Sequence, residues 1–172
     1  GIQVNIEPMP SGNQAFLNLL RRLRHELQEG KILSIASYPP PTWLQPIPEV
    51  HWDEAYFREV AEPADQMAVM MYDTGIRLPK VYESLLAEWT VECLTWAKNC
   101  TILLGVPVYN DKGVGYHYPH VENLKNSLAG VHSGLLRFDS LPPNYEGVAL
   151  YCEWEMDPEE WDYLSHNFLA IR

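Results

Sequence analysis

Three polar side chains near the start of the chain are the residues best suited to chemistry. Gln3, Asn5 and Glu7 alternate with apolar residues, and the β-branched run from Ile2 to Ile6 predicts a buried strand. Alternate side chains of a strand point to the same face, so all three are expected to project into one interior. A carboxylic acid at the end of a buried strand is partly removed from water, which favours the neutral form that a general acid needs.

A second polar pair, Tyr72 and Asp73, ends the apolar segment that begins at Gln66. A tyrosine hydroxyl can donate a hydrogen bond, and a carboxylate can accept one from a hydroxyl or an amide. Aromatic side chains can pack on the apolar face of a sugar ring, although they also fill ordinary protein cores. The aromatic residues considered as sugar contacts at strand ends are Tyr38, Tyr109, Tyr151 and Trp154.

Alternating strand and helix patterns position these residues. The predicted strands are continuous apolar runs, which is typical of strands covered on both faces. Each precedes a helical pattern, and this alternation predicts parallel strands joined by right-handed crossovers. The predicted strands are 2–6, 32–38, 66–72, 101–108 and 147–152, and the predicted helices are 16–27, 52–60, 80–98, 119–136 and one beginning near Asp157.

Two α/β architectures fit this pattern: an open doubly wound sheet and part of a closed barrel. In both, the site lies beyond the carboxyl ends of the strands, where the polar residues gather. No glycine-rich phosphate-binding motif follows the first strand, which favours the barrel. A complete eightfold barrel usually takes about 250 residues. The 172 residues therefore predict a partial (β/α)8 TIM barrel of five βα units, forming a single incomplete domain over 1–172.

Motifs at three strand ends resemble those of glycoside hydrolase family 18, the chitinase-like group. Residues 1–7 are similar to its fourth-strand pattern Asp-Gly-x-Asp-x-Asp-x-Glu, and residues 70–73 to its sixth-strand pattern Met-x-Tyr-Asp. Residues 147–154 are similar to its eighth strand, whose Trp forms the floor of the sugar site. The motifs follow in the family's order, so the alignment places strands four to eight in this chain.

The resemblance implies retaining, substrate-assisted hydrolysis of β-linked glycans that contain N-acetylglucosamine. Glu7 would be the general acid, and the sugar's acetamido oxygen would replace an enzyme nucleophile. Tyr72 and Asp73 would hold the acetamido group. Gln3 and Asn5 stand where the family has two aspartates. Asn-x-Glu is instead similar to glycoside hydrolase family 85, endo-β-N-acetylglucosaminidases of related barrel fold in which the Asn orients the same group.

Two further hypotheses stay open beside the glycosidase. Because the two aspartates are replaced, the barrel can be a lectin-like protein that binds sugar without cleaving it. Five strands also leave two unpaired edges, so the chain can be a fragment without independent activity. A missing N-terminal segment or self-association would then complete the barrel.

Composition restricts the other partners and ligands. A formal net charge of −11, without a basic run, argues against nucleic acid and anionic membranes as partners. Cys93, Cys100 and Cys152 are expected to be buried and free. His117 and His120 lack further ligands at a convincing spacing and are expected to be solvent-facing loop residues, so neither a metal nor another cofactor is predicted. No signal peptide is recognised and no compartment is predicted.

Overall fold

The computed structural model describes residues 1–43, 45, 47–111, 113 and 116–169. Strands and helices alternate along the chain, with one 3-10 turn over Glu153–Glu155 before the last helix. The strands are β1 (Ile2–Val4), β2 (Leu33–Ser37), β3 (Gln66–Met70), β4 (Thr101–Pro107) and β5 (Tyr145–Tyr151), and the helices are α1 (Gln14–Glu26), α2 (Glu54–Ala61), α3 (Pro79–Trp96), α4 (Leu124–Leu135) and α5 (Pro158–Asn167).

The five strands form one parallel sheet in the order β1-β2-β3-β4-β5. This confirms the predicted α/β fold with five βα units. Each strand lies beside the next strand in the chain, as in a β/α barrel, whereas a doubly wound sheet reverses its strand order at a switch point. The carboxyl ends of all five strands consequently meet at one edge of the sheet.

Apolar side chains between the sheet and the helices form the core. Ile35, Met67 and Ile102 are fully buried, and the strand register places them side by side across β2, β3 and β4. Helices α3 and α4 pack closely because Gly130 and Gly134 of α4 leave room for α3. A Cβ at Gly130 would lie 2.7 Å from the carbonyl oxygen of Glu83.

The expectation that the first strand is buried is wrong. Ile2 is 38% exposed and Ile6 is 42% exposed. The reason is position: β1 is an edge of the sheet, and among the described strands it pairs with β2 alone. The strand also ends at Val4, so Asn5 and Glu7 belong to the loop that follows it.

The helix predicted from residue 119 starts later. Residues 119–122 form a turn, in which the backbone N–H groups of Val121 and Glu122 donate to the carbonyl oxygen of Tyr118. Asn123 then caps α4 by accepting a hydrogen bond from the backbone N–H of Asn126. The turn keeps Glu122 out of the helix and directs it toward the end of β3.

Cys93, Cys100 and Cys152 are buried and free, as predicted. Across the residues that the structure describes, none of the helices has the length and apolar character required to span a bilayer.

Candidate active site

A cavity of about 410 Å³ opens at the carboxyl ends of β1, β2 and β3. Four of the residues predicted for the site line it: Glu7, Tyr38, Tyr72 and Asp73. Glu7 follows β1, Tyr38 follows β2, and Tyr72 and Asp73 both follow β3. The parallel sheet brings these three strand ends together. The loop after β2 and the loop after β4 contribute further walls, through Gln45, Ile47, Val50, His51 and Tyr116.

Glu7 interacts with two tyrosines of the cavity. The Tyr38 hydroxyl donates to Glu7 Oε2 over 3.4 Å. Burial raises the pKa of Tyr38, and the Glu7 carboxylate raises it further. Burial also raises the pKa of Tyr72, with smaller contributions from Tyr151 and Glu7. Both phenols therefore stay protonated and remain hydrogen-bond donors at neutral pH.

The expected burial of Glu7 itself is not found. Its side chain is exposed, because the loop after the edge strand has solvent on one side. The structure therefore lacks the partly desolvated carboxyl group that the sequence predicts at this position. Glu7 instead accepts a hydrogen bond from Tyr38 and interacts electrostatically with Tyr72.

Aromatic rings continue from the cavity toward the solvent. Tyr72 stacks on Tyr151, with ring centroids 5.1 Å apart and planes 10° from parallel. Trp154 meets Tyr151 edge-on at 6.4 Å and is 72% exposed. Neither Tyr151 nor Trp154 lines the cavity, but Tyr72 joins them to it. The three rings form an aromatic strip along the carboxyl end of the sheet.

The structure does not bring Gln3 and Asn5 into the cavity. Gln3 pairs in register with Ser34, which in turn pairs with Gln66 near the amino ends of the strands. Glu7 lies four residues beyond Gln3, about 13 Å along an extended chain. Asn5 is exposed in the loop just after β1. The alternation of side chains along a strand predicts which residues share a face. It does not predict how far along the strand each of them lies from the cavity.

Tyr109 contacts Asp73, a residue of the cavity wall, from outside the cavity. Its hydroxyl donates to Asp73 Oδ1, although Tyr109 does not line the cavity. Burial and the hydrogen bond to Asp73 raise the pKa of the Tyr109 phenol, which keeps the donor protonated. The backbone of Asp73 has a φ of 60°, a conformation uncommon outside glycine. The Tyr109 hydrogen bond therefore helps to orient a carboxylate at an unusual turn.

The prediction that His117 faces solvent is wrong, whereas His120 is exposed as expected. The His117 ring stacks on Tyr109, with centroids 4.0 Å apart. Its Nδ1 lies 3.3 Å from Asp73 Oδ1 and 3.6 Å from Glu122 Oε2. The segment after β4 folds back over the sheet edge, which buries a histidine whose local sequence is typical of a loop.

Glu122 is a second buried group that the sequence patterns did not single out. Its carboxylate accepts hydrogen bonds from the backbone N–H of Thr74 at 3.2 Å and from Thr74 Oγ1 at 3.1 Å. Burial raises the pKa of Glu122, while the Thr74 hydrogen bonds and His117 act in the opposite direction. A glutamate just before a helix cap usually faces water. Only the close approach of residue 122 to Thr74 distinguishes it.

His51 also lines the cavity without having carried a sequence signal. Its Nδ1 lies 2.8 Å from the carbonyl oxygen of Ile47 and must donate, because a carbonyl only accepts. Burial lowers the pKa of His51, so the ring is neutral near pH 7 and leaves Nε2 as an acceptor. The cavity wall therefore contains an imidazole acceptor besides the tyrosine donors.

Comparison with known proteins gives one weak structural similarity. The crystal structure of the spore cortex-lytic enzyme SleL of Bacillus cereus aligns with a TM-score of 0.44 and 22% sequence identity, over 63% of this chain and 25% of that one. This chain thus spans about a quarter of that structure's length. No protein-family profile and no curated protein matches the chain. The cavity and its side chains are therefore the basis for a functional conclusion.

Proposed function

We propose that the cavity binds β-linked glycans containing N-acetylglucosamine and cleaves them by substrate-assisted, retaining hydrolysis. The observation that supports this most is the meeting of Glu7, Tyr38, Tyr72 and Asp73 around one cavity of about 410 Å³. These are an acid, two phenol donors and a carboxylate acceptor at adjoining strand ends. The same residue types occur in the motifs that resemble glycoside hydrolase family 18.

In the proposed reaction Glu7 begins as the protonated acid. It donates its proton to the glycosidic oxygen while the bond from that oxygen to the anomeric carbon breaks. The substrate's acetamido oxygen forms a bond to the same carbon from the opposite face, so no enzyme nucleophile is required. Water then attacks this carbon, Glu7 accepts a proton from the water, and the acetamido group is released. Two inversions give net retention.

Tyr72 and Asp73 are assigned to the acetamido group. The Tyr72 hydroxyl stays protonated and is suited to donate to the acetamido oxygen, which aligns that oxygen for attack. The Asp73 carboxylate is suited to accept from the amide N–H, and Tyr109 orients it from behind. Asn5 is outside the cavity lining, so β3 rather than β1 supplies the acetamido contacts in this proposal.

The aromatic strip is assigned to sugar rings beyond the cleavage point. Trp154 is 72% exposed and Tyr151 is 48% exposed, and large aromatic faces are otherwise costly to leave in water. Sugar C–H faces would cover them. We assign Tyr38 to positioning of Glu7, through its hydrogen bond to Oε2.

Hydrolysis of an aryl chitobioside tests the proposal, comparing the protein at its natural length with its Glu7→Gln variant. We expect the variant to lose at least about 100-fold in kcat, because it cannot donate the proton. Glu29→Gln, an exposed substitution at the opposite end of the strands, should match the wild type. Equal rates for Glu7→Gln and wild type would rule the mechanism out.

A second candidate function is binding of the same glycans without cleavage. It is favoured by one observation: Gln3 and Asn5, which replace the aspartates of the similar motif, do not line the cavity. Calorimetric titration with chito-oligosaccharides separates the candidates. Binding without turnover selects the lectin-like function, and the absence of binding rejects both.

A further inference from the structure

Asp73, His117 and Glu122 each direct one donor atom toward a common point. The three atoms lie within 4.8 Å of one another, and they come from the end of β3 and from the segment between β4 and α4. His117 and Glu122 are fully or almost fully buried, and Asp73 is partly buried. Asp73 also lines the cavity, whereas the other two do not. This three-residue cluster is called the triad below.

The imidazole of His117 is the unusual member of the triad. Its side chain is 0% exposed, and its Nδ1 is buried without a hydrogen-bond partner among the described residues. Its Nε2 lies 3.2 Å from the carbonyl oxygen of Tyr109 and must carry the proton that this acceptor receives. In the neutral ring, Nδ1 therefore presents a lone pair to two carboxylates. Either a proton on Nδ1 or a metal ion shared by the three donor atoms would satisfy this arrangement.

The distances between the donor atoms of the triad fit a shared metal ion better than a hydrogen bond from Nδ1. The separations of 3.3 Å and 3.6 Å from Nδ1 exceed the usual N–H···O range of about 2.7–3.2 Å. Ligand atoms at about 2.1 Å from a tetrahedral Zn²⁺ lie about 3.4 Å from one another. The combined charge of two carboxylates and one neutral imidazole also balances a divalent ion.

The residues around the triad supply the supporting contacts that metal ligands require. Ligating histidines donate their other ring N–H to a carbonyl or carboxylate, and ligating carboxylates are themselves hydrogen-bonded. His117 donates to the Tyr109 carbonyl, Asp73 accepts from the Tyr109 hydroxyl, and Glu122 accepts from Thr74. Each ligand is thus oriented by a partner outside the triad.

We propose that the triad binds one divalent transition-metal ion, with Zn²⁺ the best match, through His117 Nδ1 and the carboxylates of Asp73 and Glu122. One nitrogen and two carboxylate oxygens form a ligand set of intermediate hardness, which Zn²⁺ accepts. The ion joins the β4–α4 segment to the end of β3 and holds Asp73 at the cavity wall. This site goes beyond glycan cleavage and does not depend on it.

Equilibrium dialysis of metal-stripped protein against ZnCl2, with elemental analysis, tests the site. The wild type should bind one tight ion per chain, and His117→Ala should weaken that affinity by at least about 100-fold, since even supporting residues contribute 10–100-fold. His120→Ala is the matched control, because His120 is exposed and only three residues away. It should bind as the wild type does.

A second variant keeps the test independent of whether His117→Ala folds. Thr74→Val removes the hydroxyl that donates to Glu122 but retains the backbone N–H, so it should bind one ion about 10-fold more weakly. Zn²⁺ should also raise the Tm of the wild type and not that of His117→Ala. The proposal is overturned if the wild type binds no tight zinc, or if His117→Ala binds it as tightly as His120→Ala.

Discussion

The Tyr38 hydroxyl and the Glu7 carboxylate form the contact on which the assignment of the acid depends. Their 3.4 Å hydrogen bond joins the loop after β1 to the end of β2. The contact is buried on the tyrosine side and exposed on the glutamate side. A sugar entering the cavity would therefore remove Glu7 from water, while Tyr38 already restricts its position.

Removing the Glu7 charge should lower the pKa of Tyr38. Burial is the largest cause of the raised value, and the Glu7 carboxylate is the next. In Glu7→Gln the phenol should therefore ionise at lower pH than in the wild type, while staying above its ordinary range. Titration of the protein with ¹³C-labelled tyrosine by NMR measures this. An unchanged Tyr38 pKa in Glu7→Gln would contradict the contact, and Glu29→Gln serves as the control.

Among individual residues, the sequence indicated several that line the cavity but only Asp73 of the triad. Glu7, Tyr38, Tyr72 and Asp73 follow strand ends, and parallel strands bring such ends together. His117 and Glu122 belong to an irregular segment, whose burial depends on a long-range contact with Thr74. No local pattern encodes that contact. Gln3, which the sequence predicted for the site, pairs in register with Ser34 near the amino ends of the strands and does not line the cavity.

At the element scale, α3 contains a carboxyl group that should make stability depend on pH. Burial raises the pKa of Glu92 to about 7, and Glu88 and Glu54 add to the effect. Its Oε2 is buried without a hydrogen-bond partner among the described residues. The folded state therefore binds more protons than the unfolded chain between the ordinary pKa and about 7. By linkage, stability falls as pH rises through this window.

The variant Glu92→Gln tests this dependence. It should be more stable than the wild type by about 1 kcal/mol at about pH 8, a value reduced because the group is only half-buried. The advantage should largely disappear at about pH 5, where Glu92 is mostly protonated in the folded protein. Urea unfolding at both pH values measures it. Glu59→Gln, an exposed change on α2, should show no such difference.

Close packing of α4 on α3 gives a second test at this scale. Alanine usually favours a helix over glycine by about 1 kcal/mol, but a Cβ at Gly130 would lie 2.7 Å from the Glu83 carbonyl oxygen and from Leu86 Cβ. Gly130→Ala should therefore destabilise the protein by about 1–3 kcal/mol in urea unfolding. Ser133→Ala, exposed on the same helix, should stay within about 0.5 kcal/mol of wild type. A stabilised Gly130→Ala would contradict the close packing.

The order of strands and helices was predicted well because it depends on local periodicity. Proline at the first turn of α5, with Asp157 as its cap, shows how closely local signals specify a helix start. Exposure of β1 was not predicted. Apolar content identifies a strand, but only the position in the sheet determines whether neighbours cover it. Ile2 is therefore apolar and yet exposed.

At the scale of the whole molecule, β1 and β5 are the two edges of the sheet. We propose that further strands cover them, either from another segment of the natural protein or from a second copy of this chain. Ile2 and Ile6 on the β1 side are exposed apolar residues, and unpaired strand edges invite pairing. Sedimentation velocity of this chain over a range of concentrations should then show reversible association.

A charge on the edge should weaken that association. Ile2→Lys is expected to reduce it several-fold, because lysine on an edge strand opposes edge-to-edge pairing. Leu19→Lys is the matched control: Leu19 on α1 and Ile2 are both 38% exposed. A chain that stays monomeric at every concentration, or equal effects of the two lysines, would contradict this proposal.

In the proposed mechanism, Glu7 and the acetamido group of the substrate together cleave a β-linked glycan in this cavity. The configuration of the first sugar released tests it most directly, by ¹H NMR of a chito-oligosaccharide mixed with the protein at its natural length. The β-anomer should form first, and Glu7→Gln should release none. Release of the α-anomer first, or β-anomer release at an undiminished rate by Glu7→Gln, would contradict it.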